Sequence, residues 1–266
     1  MKTRGIFFPV LILIASQMGE HLAAQDPSAL VVMQKSDEQS KAHDERADLT
    51  MLLVNSGGKE RTRKVQWVTK TDARNNRSSL IRFLSPADVE GTGFLSLEYA
   101  GREDDQWLYL PALKKVRRIS ASNETDNFIG SDFTYEDLDR EDLDQYAYTS
   151  LGAEKIDNAD CYVVQAVPNN EQKKKESGYS KRSIYVRKDN FTVVQTKYYD
   201  KNGELLKVLR GTDVRLAKGT DKWRAYRLEL NNLRTGHKTI LTFQNVAINR
   251  GIDQEFFTQR YLERAN

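Results

Sequence analysis

A single cysteine, Cys161, is all the thiol chemistry this 266-residue sequence holds. No disulfide can close within the chain, which excludes the small, disulfide-stapled extracellular module. A chain this long can bury a sufficient core without such staples. Cys161 opens the strand-like run CYVVQAV and reads as a small buried hydrophobe rather than a reactive thiol. Histidine is scarce as well, with three residues in all. His43 and His237 lie in polar, turn-like stretches that offer no orienting partner for acid–base work. GxSxG, HExxH, Walker A and GxGxxG patterns are absent, and no His or Cys sits at metal-ligand spacing. The acidic run DLDREDLD lacks the glycine and terminal glutamate of an EF-hand loop. The chain therefore reads as a non-enzyme with no metal or other cofactor. Excess charge is missing too. Lys and Arg number 41 against 38 Asp and Glu, for a net charge of +3. That balance excludes a general nucleic-acid binder.

What is present begins with an export signal. Lys2 and Arg4 form a short positive region, Ile6 to Ala15 is apolar, and the small residues Ala23 and Ala24 follow. The apolar run is too short for a helix to cross a bilayer core of roughly 30 Å. Residues 1–24 are read as a signal peptide and 25–266 as a single domain, with a mature start at Gln25 and no lipidated cysteine after it. The expected compartment is the bacterial periplasm. Pro27 and the apolar residues Leu30, Val31 and Met33 predict a helix over residues 28–42. Beyond it the period changes to two. Strand-like runs surround Gly57-Gly58, continue through RSSLIRFLSP, GTGFLSLEYA, DDQWLYLP and KKVRRIS, and resume from QYAYTSLG to KTILTFQNV. Turn formers such as residues 157–160 and 200–203 separate them. The C-terminal DQEFFTQRYLER predicts a helix capped by Asp253. About a dozen antiparallel strands with few helices make a mainly β meander, sandwich or barrel.

Several strands carry apolar groups on both faces. Ile81 and Phe83 oppose Leu80 and Leu84, while Leu108 and Leu110 oppose Trp107 and Tyr109. A sheet with one wet face alternates cleanly. Here both faces need cover, either from a filled two-sided core or from a curved sheet around a hydrophobic cavity. Phe83, Leu95, Leu97, Leu108 and Leu110 are the expected cavity walls. The segment from Phe128 to Leu138 is the expected movable cover, with Phe128, Phe133 and Tyr135 inward, Asp132, Glu136 and Asp137 outward, and Gly130 as its joint.

Between wall and cover lies WLYLPALKKVRRIS, which breaks at Pro111 and then carries Lys114, Lys115, Arg117 and Arg118. Together with GSDFTYED from Gly130 to Asp137 and with Pro86, Gly91 and Gly93 of SPADVEGTGFL, this stretch resembles the periplasmic outer-membrane lipoprotein-sorting proteins, relatives of the carrier LolA. The resemblance implies a strongly curved antiparallel sheet, an incomplete barrel closed by a few helices over a hydrophobic cavity. It also implies binding of lipid or of lipidated protein cargo rather than catalysis. An inner-membrane transporter and transient contact with a membrane surface are the further partners expected of such a carrier. In that fold the four cations would sit at the rim and pair weakly with the carboxylates of the cover, or meet lipid headgroups. An envelope interaction protein with a filled core, or a lipid-acting hydrolase, are the alternatives.

Overall fold

The computed structural model describes residues 26–99 and 102–264. The signal-peptide reading of residues 1–24 and the expected start at Gln25 lie outside the described residues. The period-two runs form one antiparallel sheet of thirteen strands. Six belong to a first meander: β1 (Asp44–Val54), β2 (Glu60–Thr71), β3 (Arg77–Ser85), β4 (Gly93–Glu98), β5 (Asp105–Leu110) and β6 (Lys115–Ile119). Seven belong to a second: β7 (Tyr146–Ile156), β8 (Ala159–Pro168), β9 (Lys181–Arg187), β10 (Val193–Tyr199), β11 (Leu205–Leu216), β12 (Trp223–Asn232) and β13 (Lys238–Ile248). The meanders join where β1 pairs with β13, so the spatial order runs from β6 through β1, β13 and on to β7. Turn chemistry supports the hairpins. Asp157 and Asn158 both adopt positive φ between β7 and β8, and Asn55 Oδ1 accepts from the amides of Gly57 and Lys59 between β1 and β2.

This topology has one strong consequence. β6 and β7 are consecutive in sequence but form opposite edges of the sheet. Residues 120–145 must therefore cross a face. Tyr135 packs on Phe94 of β4 at 5.3 Å. Its neighbour Thr134 hydrogen-bonds Tyr179, which packs on Tyr198 of β10 at 4.9 Å. In a flat sheet β4 and β10 would lie roughly 34 Å apart at about 4.8 Å per strand. Two adjacent residues can reach both only because the sheet curls around the crossing segment. β6 and β7 do not pair, so the curl stays open.

The helices cover what the strands leave bare. Helix α1 (Ala29–Ser40) is capped by Ser28, whose hydroxyl accepts from the Val31 amide at 3.4 Å. It buries Ala29, Val32, Met33 and Ser36, at helical spacing. Leu30 and Val31, two of the three residues that marked it in the sequence, point outward. The short α2 (Glu171–Glu176) had no counterpart in the sequence reading. The C-terminal helix is in two pieces: a turn Gln254–Phe257 capped by Asp253, then α3 (Gln259–Glu263) capped by Thr258. The second cap, a side chain competing for the amide of Tyr261, breaks the run.

α3 sits on the opposite face of the sheet from the crossing segment. Val68, Leu80, Leu95, Phe257 and Leu262 form a core there, flanked by Leu97, Trp107 and Tyr109. Gly93 permits the close approach, since a Cβ would lie 2.6 Å from Leu262 Cδ1. The buried Arg82 guanidinium donates to the α3 carbonyls of Tyr261 and Leu262 and to Arg264 O just beyond, holding the helix by its negative end.

Candidate functional site

The crossing segment is bound into the concave face by its own aromatics. Phe128 meets Phe94 edge-on at 5.4 Å and Tyr135 at 5.5 Å, and lies 5.8 Å from Phe83. These are the offset and edge geometries aromatic rings prefer. Phe133, Leu108, Ile119 and Leu230 belong to the same cluster. Ile129 and Gly130 follow one another at φ +48° and +70°. Gly130 adopts this without cost, whereas Ile129 is strained there. Arg63 holds it by donating to Ile129 O at 2.6 Å.

Polar contacts then pin the segment across the sheet. The Thr239 hydroxyl donates to Asp132 Oδ2 at 2.8 Å and accepts from the Asp132 amide at 3.0 Å. Asp137 meets Lys207 at 2.5 Å, with both side chains 2% exposed. It also accepts from Tyr179 Oη and from the Thr134 amide. The Gly178 amide donates to Glu136. The carboxylates expected to point outward from the cover thus engage the protein itself. Successive 3-10 turns at Phe128–Gly130 and Glu136–Leu138 break the alternation on which that expectation rested.

The sequence-expected wall residues divide between two faces. Phe83, Leu108 and Leu110 share the concave face with Phe128, Phe133 and Tyr135, and all six belong to the packed cluster there. Leu95 and Leu97 lie on the opposite face beneath α3. The registers explain the division. Ile81, Phe94 and Leu108 are cross-strand neighbours on one side, and Leu80, Leu95 and Trp107 on the other. None of these eight residues lines the open cavity described below. The basic rim is also arranged differently from the pairing expected of it. Lys114, Lys115, Arg117 and Arg118 are exposed at and beyond the β5–β6 hairpin tip, and Arg118 pairs with Asp105 of β5 at 2.7 Å rather than with the crossing segment. The partners of the segment's carboxylates come instead from β11, β13 and the loop after α2.

The open space lies further along the concave face, where the crossing segment gives way to α1. It is a cavity of about 400 Å³, within the range of small-ligand sites. Trp67, Phe243, Val246, Tyr226, Leu228 and Ala47 supply strand walls, Leu138 the segment's wall, and Phe191 of the β9–β10 loop with Val193 at the start of β10 the remaining wall. Trp67 and Phe243 stand 6.2 Å apart, and Trp67 Nε1 donates to Ser79 Oγ at 2.8 Å, which fixes the indole. Ser36, Gln39 and Ser40 of α1, with Lys41 just beyond its end, close one side.

Charged groups ring this apolar interior. Arg77 pairs with Glu98 at 2.9 Å and lies 5.9 Å from the Trp67 ring. Arg140 reaches Asp37 of α1 at 3.2 Å and Asn75 Oδ1 at 3.2 Å, tying the crossing segment to helix and hairpin. Arg224 pairs with Glu45 at 2.9 Å and donates to the α1 carbonyls Gln39 O and Ser40 O. Asp139, also on the wall, accepts two hydrogen bonds from Gln106 Nε2 and one from Ser96 Oγ. Burial, together with Glu98, Glu124 and Asp104 nearby, pushes its carboxyl well above the usual range. Burial likewise raises Glu124 to about 7 and Asp104 to about 6. Sequence reasoning missed Trp67, Tyr226, Phe243 and the arginines. Their only local signal was an aromatic or a cation in a strand of unknown facing or, for Arg140, a lone cation within an acidic run.

The model of a family described as "uncharacterized protein" matches residues 75–264. No curated protein matches the chain. The crystal structure of an outer membrane lipoprotein-sorting protein domain from Vibrio parahaemolyticus is 31% identical at a TM-score of 0.82, over 89% of this chain and 98% of that one. A DUF1329 family protein from Desulfovibrio piger is 31% identical at 0.83, over 90% and 100%. A LolA superfamily protein from Nitrosomonas europaea, 21% identical at 0.68 over 89% and 100%, shares the fold.

Proposed function

The chain belongs to the family of the Vibrio lipoprotein-sorting domain and the DUF1329 protein, and from that premise we propose that it is a periplasmic carrier. It binds acyl chains of lipid or lipidated protein in the concave-face cavity and moves them between envelope membranes, handing cargo to and from membrane-bound partners. Its work is binding, not bond-breaking. One observation carries this reading: an apolar cavity of about 400 Å³, walled by aromatics, lies beside a segment that crosses the open sheet from edge to edge. Burial of an acyl chain there would supply affinity at about 0.8 kcal/mol per methylene.

Native mass spectrometry of protein released gently from the periplasm tests this. A stoichiometric bound lipid, or saturable uptake of a fluorescent fatty-acyl probe by the delipidated protein, is the expected result. Absence of both overturns the carrier reading. It would favour instead an envelope interaction protein, a reading to which the filled half of the concave face lends support.

A further inference from the structure

Taking the carrier reading as given, we infer that the cavity holds one single-chain amphiphile with an anionic head. Its chain lies against Trp67, Tyr226 and Phe243, and its carboxylate or phosphate meets Arg77 and Arg140. At about 30 Å³ for a water-sized group, 400 Å³ admits roughly thirteen heavy atoms. That is most of one acyl chain and a small fraction of a two- or three-chain lipid. The concave face offers no further room under β3 to β5, because Phe128, Phe133 and Tyr135 fill it, each 6% exposed or less.

The head group follows from the charges at the wall. A guanidinium has five N–H donors. Arg77 commits Nη1 to Glu98, and Arg140 commits Nε to Asp37 and Nη1 to Asn75. Asp37 also answers Lys41 at 2.9 Å, so one carboxylate serves two cations on this side of the cavity. The carboxylates on the wall do not oppose an anion strongly. Glu45 is engaged by Arg224 and Asp137 by Lys207. Asp139 accepts hydrogen bonds from Gln106 and Ser96 in a setting that favours its neutral form. A fork of spare N–H donors beside an aromatic slot suits a carboxylate or a phosphate monoester or diester.

Competition against a dansyl-undecanoate probe on the delipidated full domain tests this. The competitors are tetradecanoate, tetradecanol, a lysophosphatidylglycerol and a triacyl lipopeptide. Tetradecanoate and the lysophospholipid should both displace the probe, and their ratio tells carboxylate from phosphate. Tetradecanol should bind at least tenfold more weakly, and the triacyl lipopeptide should not compete. The variants Arg77→Gln and Arg140→Gln should each weaken tetradecanoate about tenfold while leaving tetradecanol within twofold, which also reports that the cavity is intact. Equal binding of acid and alcohol overturns the anionic head. Displacement by the lipopeptide at equal or higher affinity overturns the single chain but leaves the carrier standing. No binding by any of the four overturns both.

Discussion

At the scale of single residues, the concave face is organised by buried charge. Lys207 and Asp137 sit face to face, each 2% exposed, between β11 and the crossing segment. The Lys207 ammonium also lies 5.0 Å from the Tyr179 ring and 5.2 Å from the Tyr198 ring. Removing one partner strands the other charge in a dry site, which costs more than the pair itself contributes. Lys207→Met should therefore lose about 3 kcal/mol of stability in urea unfolding. Lys207→Met with Asp137→Leu should recover part of that loss. A double variant no more stable than the single one would mean that Asp137 matters for its bonds to Tyr179 and Thr134 rather than for its charge. Glu124 gives a second test. Its carboxyl is raised to about 7 by burial, partly opposed by Lys173, against about 4.3 in an unfolded chain. Between those values the folded state holds the proton more tightly, so this group's contribution to stability is complete below about pH 4. It falls as pH rises and levels off above about 7. Relative to Glu124→Gln, the wild type should lose ground in thermal unfolding between pH 5 and pH 7.5. A difference that does not move with pH would refute the assignment.

At the scale of elements, strand existence was legible and strand facing was not. The alternation in residues 80–84 and 107–110 correctly paired Ile81 with Phe83 and Leu108 with Leu110 on one side. Nothing local could say that Leu95 and Leu97 belong to the other, because that depends on register between β3, β4 and β5. α1 was legible to within about two residues at each end, but its outward Leu30 and Val31 show that apolarity alone does not locate a docking face. The inward aromatics of the crossing segment were legible from its composition, and its carboxylate partners were not, since Lys207 and Thr239 lie far along the chain. Its packing also changes what mutation should do. Phe128 is 1% exposed among Phe83, Phe94 and Tyr135. Phe128→Ala should cost about 3–5 kcal/mol, as for a core phenylalanine. A loss below about 1 kcal/mol in denaturant unfolding would show instead that the segment yields easily, as a free lid does.

For the whole molecule, the strand order matters most for function. Two meanders joined through β1 and β13 leave β6 and β7 as unpaired edges, and the connection between them spans the concave face. The cavity is therefore built from parts distant in sequence: α1, the middle of the sheet, one end of the crossing segment, and the loop after β9. A ligand seated there touches elements of both meanders and should stabilise them together. Free ligand at a hundred times its dissociation constant adds about 2.7 kcal/mol. For a domain of this size that corresponds to a rise of roughly 5–10 °C in the unfolding midpoint. Two of the three tryptophans, Trp67 and Trp223, line the cavity. Saturation with tetradecanoate should thus change intrinsic fluorescence at the same concentrations that raise the midpoint, and the unfolding transition should stay single. A midpoint that rises without a change in tryptophan emission would place the ligand elsewhere on the molecule. A transition that splits in two would show that the cavity does not couple the two meanders.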